Sequence, residues 1–258
     1  MDLPGRLLVV PPSRRPHTHT VIFLHGRGDT ASNLVEGLHQ FSDARSRSLF
    51  ELFPSFRWVF PQAALRDVAC TGDKTYQWFD VWDMRDPTDK EELQREGLTA
   101  SVARVRRLLR EEAALLGGRW DALALAGISQ GGATAVHTML TLGEGEAIGA
   151  VIGFSCGLPF ARDSLAETRA EAGTEGADWD GVVRATPVML EHCEDDPLVT
   201  IDRGRKLRDK LTEWGGEVTW REYPRGGHWF NLSSGPEDVA DFLRQVFKLG
   251  KDGNALAG

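Results

Sequence analysis

Two pentapeptides of the chain match G-x-S-x-G, the pattern that presents the nucleophilic serine of many hydrolases. They are "GISQG" at residues 127–131 and "GFSCG" at residues 153–157. A serine hydroxyl attacks an acyl carbon only when an imidazole takes its proton and a carboxylate orients that imidazole. The oxygen that becomes negative in the attack then needs two N–H donors. So each serine is judged by what the rest of the chain can bring to it.

A nucleophile elbow requires a strand, a tight turn of small residues, and a helix whose N-terminus faces the serine. Ser129 has all three: "DALALA" before it, glycines at 127, 131 and 132 around it, and the helical "ATAVHTMLTL" after it. Ser155 also follows a strand-like run, but Pro159 stands four residues on, and proline is tolerated only in the first turn of a helix. The elbow is expected at Ser129, with Ser155 closing the next strand.

Three histidines lie downstream, and hydrolases of this construction order their residues Ser, acid, His. His137 falls within the elbow helix and reads as a packed or surface residue. His192 ends a strand too early to follow an acid. His228, in "PRGGHWF", lies on a glycine-rich loop after the last strand and is the expected base. The acid is expected in "HCEDDPLVT". Glu194, Asp195 and Asp196 all qualify, and the restriction that Pro197 places on the residue before it slightly favours Asp196. For the oxyanion, one N–H belongs to Gln130. The other is expected from "FLHGRGDT", where Arg27 stands between two glycines. A lone His and Asp on that short loop are too sparse for a metal site, and the loop lacks the spacing of a phosphate-binding P-loop. His17 and His19, in "HTHT", read as surface residues.

The elements that must position these residues are legible as apolar runs. Six of them, at residues 20–26, 57–63, 121–127, 149–155, 186–193 and 217–224, are mostly continuous rather than alternating. That suits parallel strands covered on both faces. Thr88 and Glu91 form a T-x-x-E capping-box pattern predicting a helix from there to Gly117, with Leu98, Val102, Val105 and Leu109 on its inner face. A last helix is expected to carry Val239, Phe242, Leu243, Val246 and Phe247, with Pro236 in its first turn. The expectation is an α/β fold, a mostly parallel sheet with helices on both faces, in one domain over residues 1–258. Its core would run from about residue 20 to 249, between short flexible termini. Two segments break the alternation: residues 62–80, irregular throughout, and the acidic residues 161–185, which read as either a flap or disorder.

Composition narrows the function classes. The hydrophobic and charged fractions, 41% and 26%, are those of an ordinary soluble protein. A formal charge of −8 argues against a nucleic-acid or anionic-membrane surface. No window approaches the ~18 apolar residues of a span, and the N-terminus lacks a signal-peptide pattern. Three widely spaced cysteines suit free thiols in the cytoplasm better than a disulfide framework.

Taken in order, "VIFLHGRGDT", "WFD", "GISQGG", "FSCGLP", "DDPLV" and "GGH" resemble the acyl-protein thioesterases, within the phospholipase/carboxylesterase family of α/β-hydrolases, over about residues 21–247. The resemblance implies an α/β-hydrolase fold without a separate cap domain and without a cofactor. It selects Asp196 as the acid and places Trp78 beside the acyl-binding groove, with Leu158 and Trp229 as further substrate contacts. The implied substrate is an acyl ester or thioester, favouring an acylated protein. Short-chain ester or lysophospholipid hydrolysis is the alternative. A binding protein reusing the fold is a different class, disfavoured because the whole triad is present. Arg27 stands where the family usually has an apolar residue and Cys193 where it has glycine. Residues 62–76 and 161–185, which fit the pattern poorly, lie where the family commonly sets acyl-chain length.

Overall fold

A strand covered on both faces must bury every side chain, and the central strands do so. The computed structural model describes residues 7–174, 179–250 and 253. Its strands are β1 (Leu7–Val10), β2 (His19–Leu24), β3 (Phe56–Pro61), β4 (Leu65–Asp67), β5 (Lys74–Tyr76), β6 (Leu123–Ile128), β7 (Ala150–Phe154), β8 (Val188–Cys193) and β9 (Val218–Tyr223). Its helices are α1 (Ala31–Gln40), α2 (Leu49–Leu52), α3 (Leu93–Leu115), α4 (Gln130–Leu140), α5 (Leu165–Ala172), α6 (Gly181–Ala185), α7 (Ile201–Glu213) and α8 (Gly235–Val246). Seven strands form one sheet in the order β1-β3-β2-β6-β7-β8-β9. All neighbours are parallel except β1, which runs antiparallel to β3.

Successive strand residues feed two separate cores. Ile22, Leu24, Leu123, Leu125, Val151, Val188 and Leu190 pack with Leu98, Val105 and Leu109 of α3, Val136 and Met139 of α4, and Leu207 and Leu211 of α7. Val21, Phe23, Ala124, Ala126, Ile152 and Met189 pack with Leu34 and Leu38 of α1 and Val239, Phe242 and Leu243 of α8. The sheet, its parallel sense and the helices on both faces are as expected. The strand order places the functional crevice: from β2 the chain steps to β3 on one side, while β6 and its successors extend the other. Loops leaving the carboxyl ends of β2 and β6 therefore diverge at a topological switch point.

Several expectations are corrected. The core begins before residue 20, because Leu7–Val10 adds an edge strand; residues 1–6, 251–252 and 254–258 lie outside the described ones. Residues 62–80 are not irregular throughout, since β4 and β5 pair as a small antiparallel hairpin. No capping box forms at Thr88: α3 starts at Leu93 and Glu91 bonds elsewhere. His19 is no surface residue. It is 7% exposed, its ring packs 4.4 Å from that of Phe247, and burial pushes its pKa down to about 4. Within residues 161–185, Ser164 and Glu167 build a capping box that opens α5, and α6 follows; residues 175–178 lie outside the described ones.

Candidate active site

Residue 129 is placed by backbone strain. β6 delivers it to the sheet edge, α4 begins at Gln130, and between them Ser129 adopts φ +56° and ψ −123°. Serine avoids this region unless its surroundings force it, and such strain recurs at functional sites. The turn is enforced by close backbone approach. A side chain at Gly131 would collide with the Leu24 carbonyl, and one at Gly127 with the backbone of Gly131. The Ser129 amide donates to Phe154 O at 2.9 Å, tying the elbow to β7.

The expected acid and base meet in space, although 32 residues separate them. His228 Nδ1 lies 2.8 Å from Asp196 Oδ2. Asp196 is buried, and its other oxygen accepts the amides of Leu198 and Val199, each at 2.9 Å. Burial alone would raise the carboxyl's pKa. Hydrogen bonds from His192, His228 and the Leu198 amide outweigh it and hold the group well below the usual carboxylate range. Of the other candidates, Glu194 is exposed, and Asp195 accepts the Gly227 amide at 2.8 Å, shaping the turn before His228.

His192 has a role the sequence did not suggest. It is 1% exposed, donates from Nε2 to Val199 O at 2.7 Å, and stands 3.5 Å from Asp196 Oδ2. It therefore buttresses the loop that carries the acid. His137 is fully buried, bonded through Nε2 to Pro159 O, with its pKa lowered to about 4 by burial. Ser155 follows directly on the end of β7, at 1% exposure, and its hydroxyl has no hydrogen-bond partner among the described residues.

A cavity of about 360 Å³ opens on Ser129 and His228 and is lined also by Gly26, Arg27, Asp29, Met84, Leu198 and Trp229. Arg27 thus stands at the mouth, its Nε donating to Gln77 Oε1 at 2.9 Å. The loop bearing it is pinned from below. His25 Nε2 accepts the Ala63 amide at 3.0 Å, which leaves the proton on Nδ1 to bond Gly26 O at 2.7 Å. The Gly28 amide donates to Tyr76 O at 2.7 Å. A larger groove of about 490 Å³ runs on from Ser129 and Gln130 between Phe79, Val81, Met84, Leu158, Val199 and Leu207.

Of the residues expected to contact substrate, Trp229 lines the cavity and Leu158 the groove, but Trp78 lines neither. Trp78 is 1% exposed and its indole N–H donates to His25 O at 2.7 Å. It supports the Arg27 loop from within the core, and its neighbours Phe79 and Val81 line the groove instead. Gln130 fixes that neighbourhood: its side chain accepts the Trp78 amide at 3.1 Å and donates to Phe79 O at 2.8 Å. The buried His25 and the side-chain role of Gln130 were missed. The signal available for them was position alone, next to the oxyanion loop and to the serine.

The chain matches a family model described as phospholipase/carboxylesterase over residues 6–247. Acyl-protein thioesterase 1 of Aspergillus fumigatus is 32% identical over 263 residues, covering 99% of this chain and 99% of its own. Acyl-protein thioesterase 1 of Gibberella zeae is 29% identical, covering 93% and 96%. Among solved structures, Zea mays acyl-protein thioesterase 2 superposes with a TM-score of 0.72 at 27% identity, covering 94% of this chain and 99% of that one. Esterase PE8 shares the fold with a TM-score of 0.70 at 24% identity, covering 95% and 100%.

Proposed function

The chain belongs to the phospholipase/carboxylesterase family, and from that premise we propose that it is a serine hydrolase removing long acyl chains from thioesters or esters, an acylated protein being the favoured substrate. Ser129 attacks the acyl carbonyl, and His228 takes the hydroxyl proton through Nε2 while its Nδ1–H stays bonded to Asp196. The amides of Gln130, first residue of α4 and so without an intrahelical acceptor, and of Arg27 hold the oxyanion. His228 then protonates the leaving thiol or alcohol. Water, deprotonated by the same imidazole, releases the acid and restores the serine.

The observation that carries this reading is the 2.8 Å contact of His228 with a buried, fully bonded Asp196 beside the cavity that holds Ser129. The three cysteines are unpaired thiols, which supports a cytoplasmic setting. No helix among the described residues is long and apolar enough to cross a membrane. The test is covalent labelling by a fluorophosphonate, followed by turnover of acetyl to palmitoyl thioesters. Wild type is expected to label and Ser129→Ala not to. An unlabelled wild type would instead mark a binding protein. A rate optimum at acetyl, falling with chain length, would mark a short-chain esterase.

A further inference from the structure

Residues 81–91 cross one side of the groove as bends and turns, with no helix or strand to fix them. Val81, Met84, Asp86, Pro87, Thr88 and Glu91 of this strap line the groove. The opposing walls come from the loop after β7, through Gly157, Leu158 and Pro159, and from Val199 just before α7 with Arg203 and Leu207 of its first turns. A segment without a backbone ladder keeps its place only through its side-chain and loop contacts. Within the strap, Asp83 accepts the Arg85 amide at 2.8 Å and Asp86 the Thr88 amide at 3.1 Å. Those bonds shape the strap without tying it to either wall.

Gln94 of α3 donates to Pro87 O at 2.6 Å, and two further tethers run to the walls. Arg203 of α7 reaches across and donates to the carbonyls of Met84, at 3.2 Å, and Arg85. Its guanidinium is taken up by main-chain oxygens and makes no ion pair within 4 Å among the described residues; its charge reaches the Asp86 carboxylate of the same strap only at longer range. At the other end, Glu91 accepts the Phe160 amide at 2.6 Å and pairs with Arg162 at 2.9 Å, fastening the strap to the loop after β7. One tether therefore runs to each wall.

We propose that Arg203 and Glu91 are specificity-determining residues: they hold residues 81–91 down as the roof of the acyl groove, preforming it for long chains. This rests on the hydrolase reading above. Met84 lines both the cavity beside Ser129 and the groove beyond it, so it marks where an acyl chain passes under the roof. An acetyl group ends before that point. A longer chain meets the strap, and a roof already in place spares the cost of ordering it on binding. The tethers therefore act more strongly as the chain lengthens.

The test compares full-length wild type with Arg203→Met, which keeps the stem and removes the donors, with Arg203→Lys, which keeps one donor, and with Glu91→Ala. Two quantities are read: the ratio of kcat/KM for octanoyl over acetyl p-nitrophenyl ester, and amide hydrogen exchange across residues 81–91. Arg203→Met is expected to lower the ratio about tenfold, through the octanoyl KM, and to speed strap exchange about tenfold, as loss of a charged donor to two carbonyls implies. Arg203→Lys should fall between, and Glu91→Ala should act in the same direction. A ratio equal to wild type overturns the proposal, and so does a lowered ratio with unchanged strap exchange. A wild type inert toward both esters refutes the hydrolase reading instead, and the exchange measurement still decides whether the tethers hold the strap.

Discussion

Ser129 and Ser155 both sit at positive φ after a parallel strand, at +56° and +44°, and Ser129 lines both the cavity and the groove, whereas Ser155 lines neither of these two. Ser129→Ala is expected to cost on the order of 10⁵ in turnover, as loss of a nucleophile acting with its partners does. Ser155→Ala replaces an unpartnered buried hydroxyl by a methyl of similar size, and should leave both turnover and Tm within error of wild type. Steady-state kinetics and a thermal melt on the two variants check this, and loss of activity in Ser155→Ala would count against the elbow at Ser129. The carboxylates separate in the same way. Asp196→Asn presents an amide N–H or a weaker acceptor to His228 and should cost about 10⁴ in rate. Asp195→Asn keeps an oxygen for the Gly227 amide and should cost less than about tenfold. Although the family resemblance, more than the residues themselves, separated Asp196 from Glu194 and Asp195, the elbow at Ser129 and the meeting of His228 with Asp196 were legible as geometry, carried by local motif and chain order. Trp78 was not, since an aromatic beside a motif has the same sequence whether it faces a ligand or the core.

At the scale of elements, misreadings came where a local pattern is overruled by a distant partner. T-x-x-E at 88–91 looks like a cap, but the Glu91 carboxylate is engaged by Phe160 and Arg162 some seventy residues away. The three-residue strands β4 and β5 are too short and polar to show a period. Trp78, by contrast, anchors one element to another. Trp78→Ala should empty a packed site and remove the indole donor to the His25 carbonyl, costing about 3–5 kcal/mol as a lowered Tm rather than altering chain-length preference. The loop that carries His228 has its own anchor in β8. Glu191 Oε1 accepts the Asn231 amide at 2.9 Å, and Asn231 donates to Arg225 O at 2.9 Å, while Glu191 Oε2 has no partner among the described residues. Burial raises the Glu191 pKa to about 8 from 4.5. The folded state therefore keeps a proton that the unfolded chain releases above about 4.5. The stability this confers is complete below that pH and is lost as pH rises through about 8. Glu191→Gln keeps the acceptor for Asn231 and removes the titration. Its Tm should approach that of wild type near pH 5 and exceed it by several degrees at pH 9, at about 2–4 °C per kcal/mol for a chain of this size. Melting curves across pH 5–9 that run parallel for the two proteins would contradict this.

For the whole molecule, the sheet was legible because a strand buried on both faces cannot hide its composition: β2, β6 and β8 contribute alternately to two cores. Strand order was not legible, yet it is what sets the Arg27 loop of β2 beside the Ser129 elbow of β6. The edge strand β1 escaped notice for the opposite reason to the central strands, being only partly buried along its length. From this arrangement the substrate's two halves meet different surroundings. On the proposed reading the leaving side would occupy the cavity at Arg27, Leu198 and Trp229, where Leu198 is 48% exposed, so its size should matter little. The acyl side would then occupy the groove of Phe79, Val81, Leu158 and Leu207, where each added methylene leaves water. At about 0.8 kcal/mol per buried methylene, kcat/KM should rise up to about fourfold per carbon until the groove is full, and then level off. Arg27→Leu removes a charge at the mouth without touching the groove. It should shift rates for all chain lengths by a common factor, largest for anionic leaving groups and below about 1 kcal/mol, since salt screens a partly exposed guanidinium. A thioester series from C2 to C16, run with wild type and Arg27→Leu at low and high salt, separates the two effects. A slope per carbon that changes with Arg27 or with salt would show that the acyl chain lies at the mouth rather than under Met84.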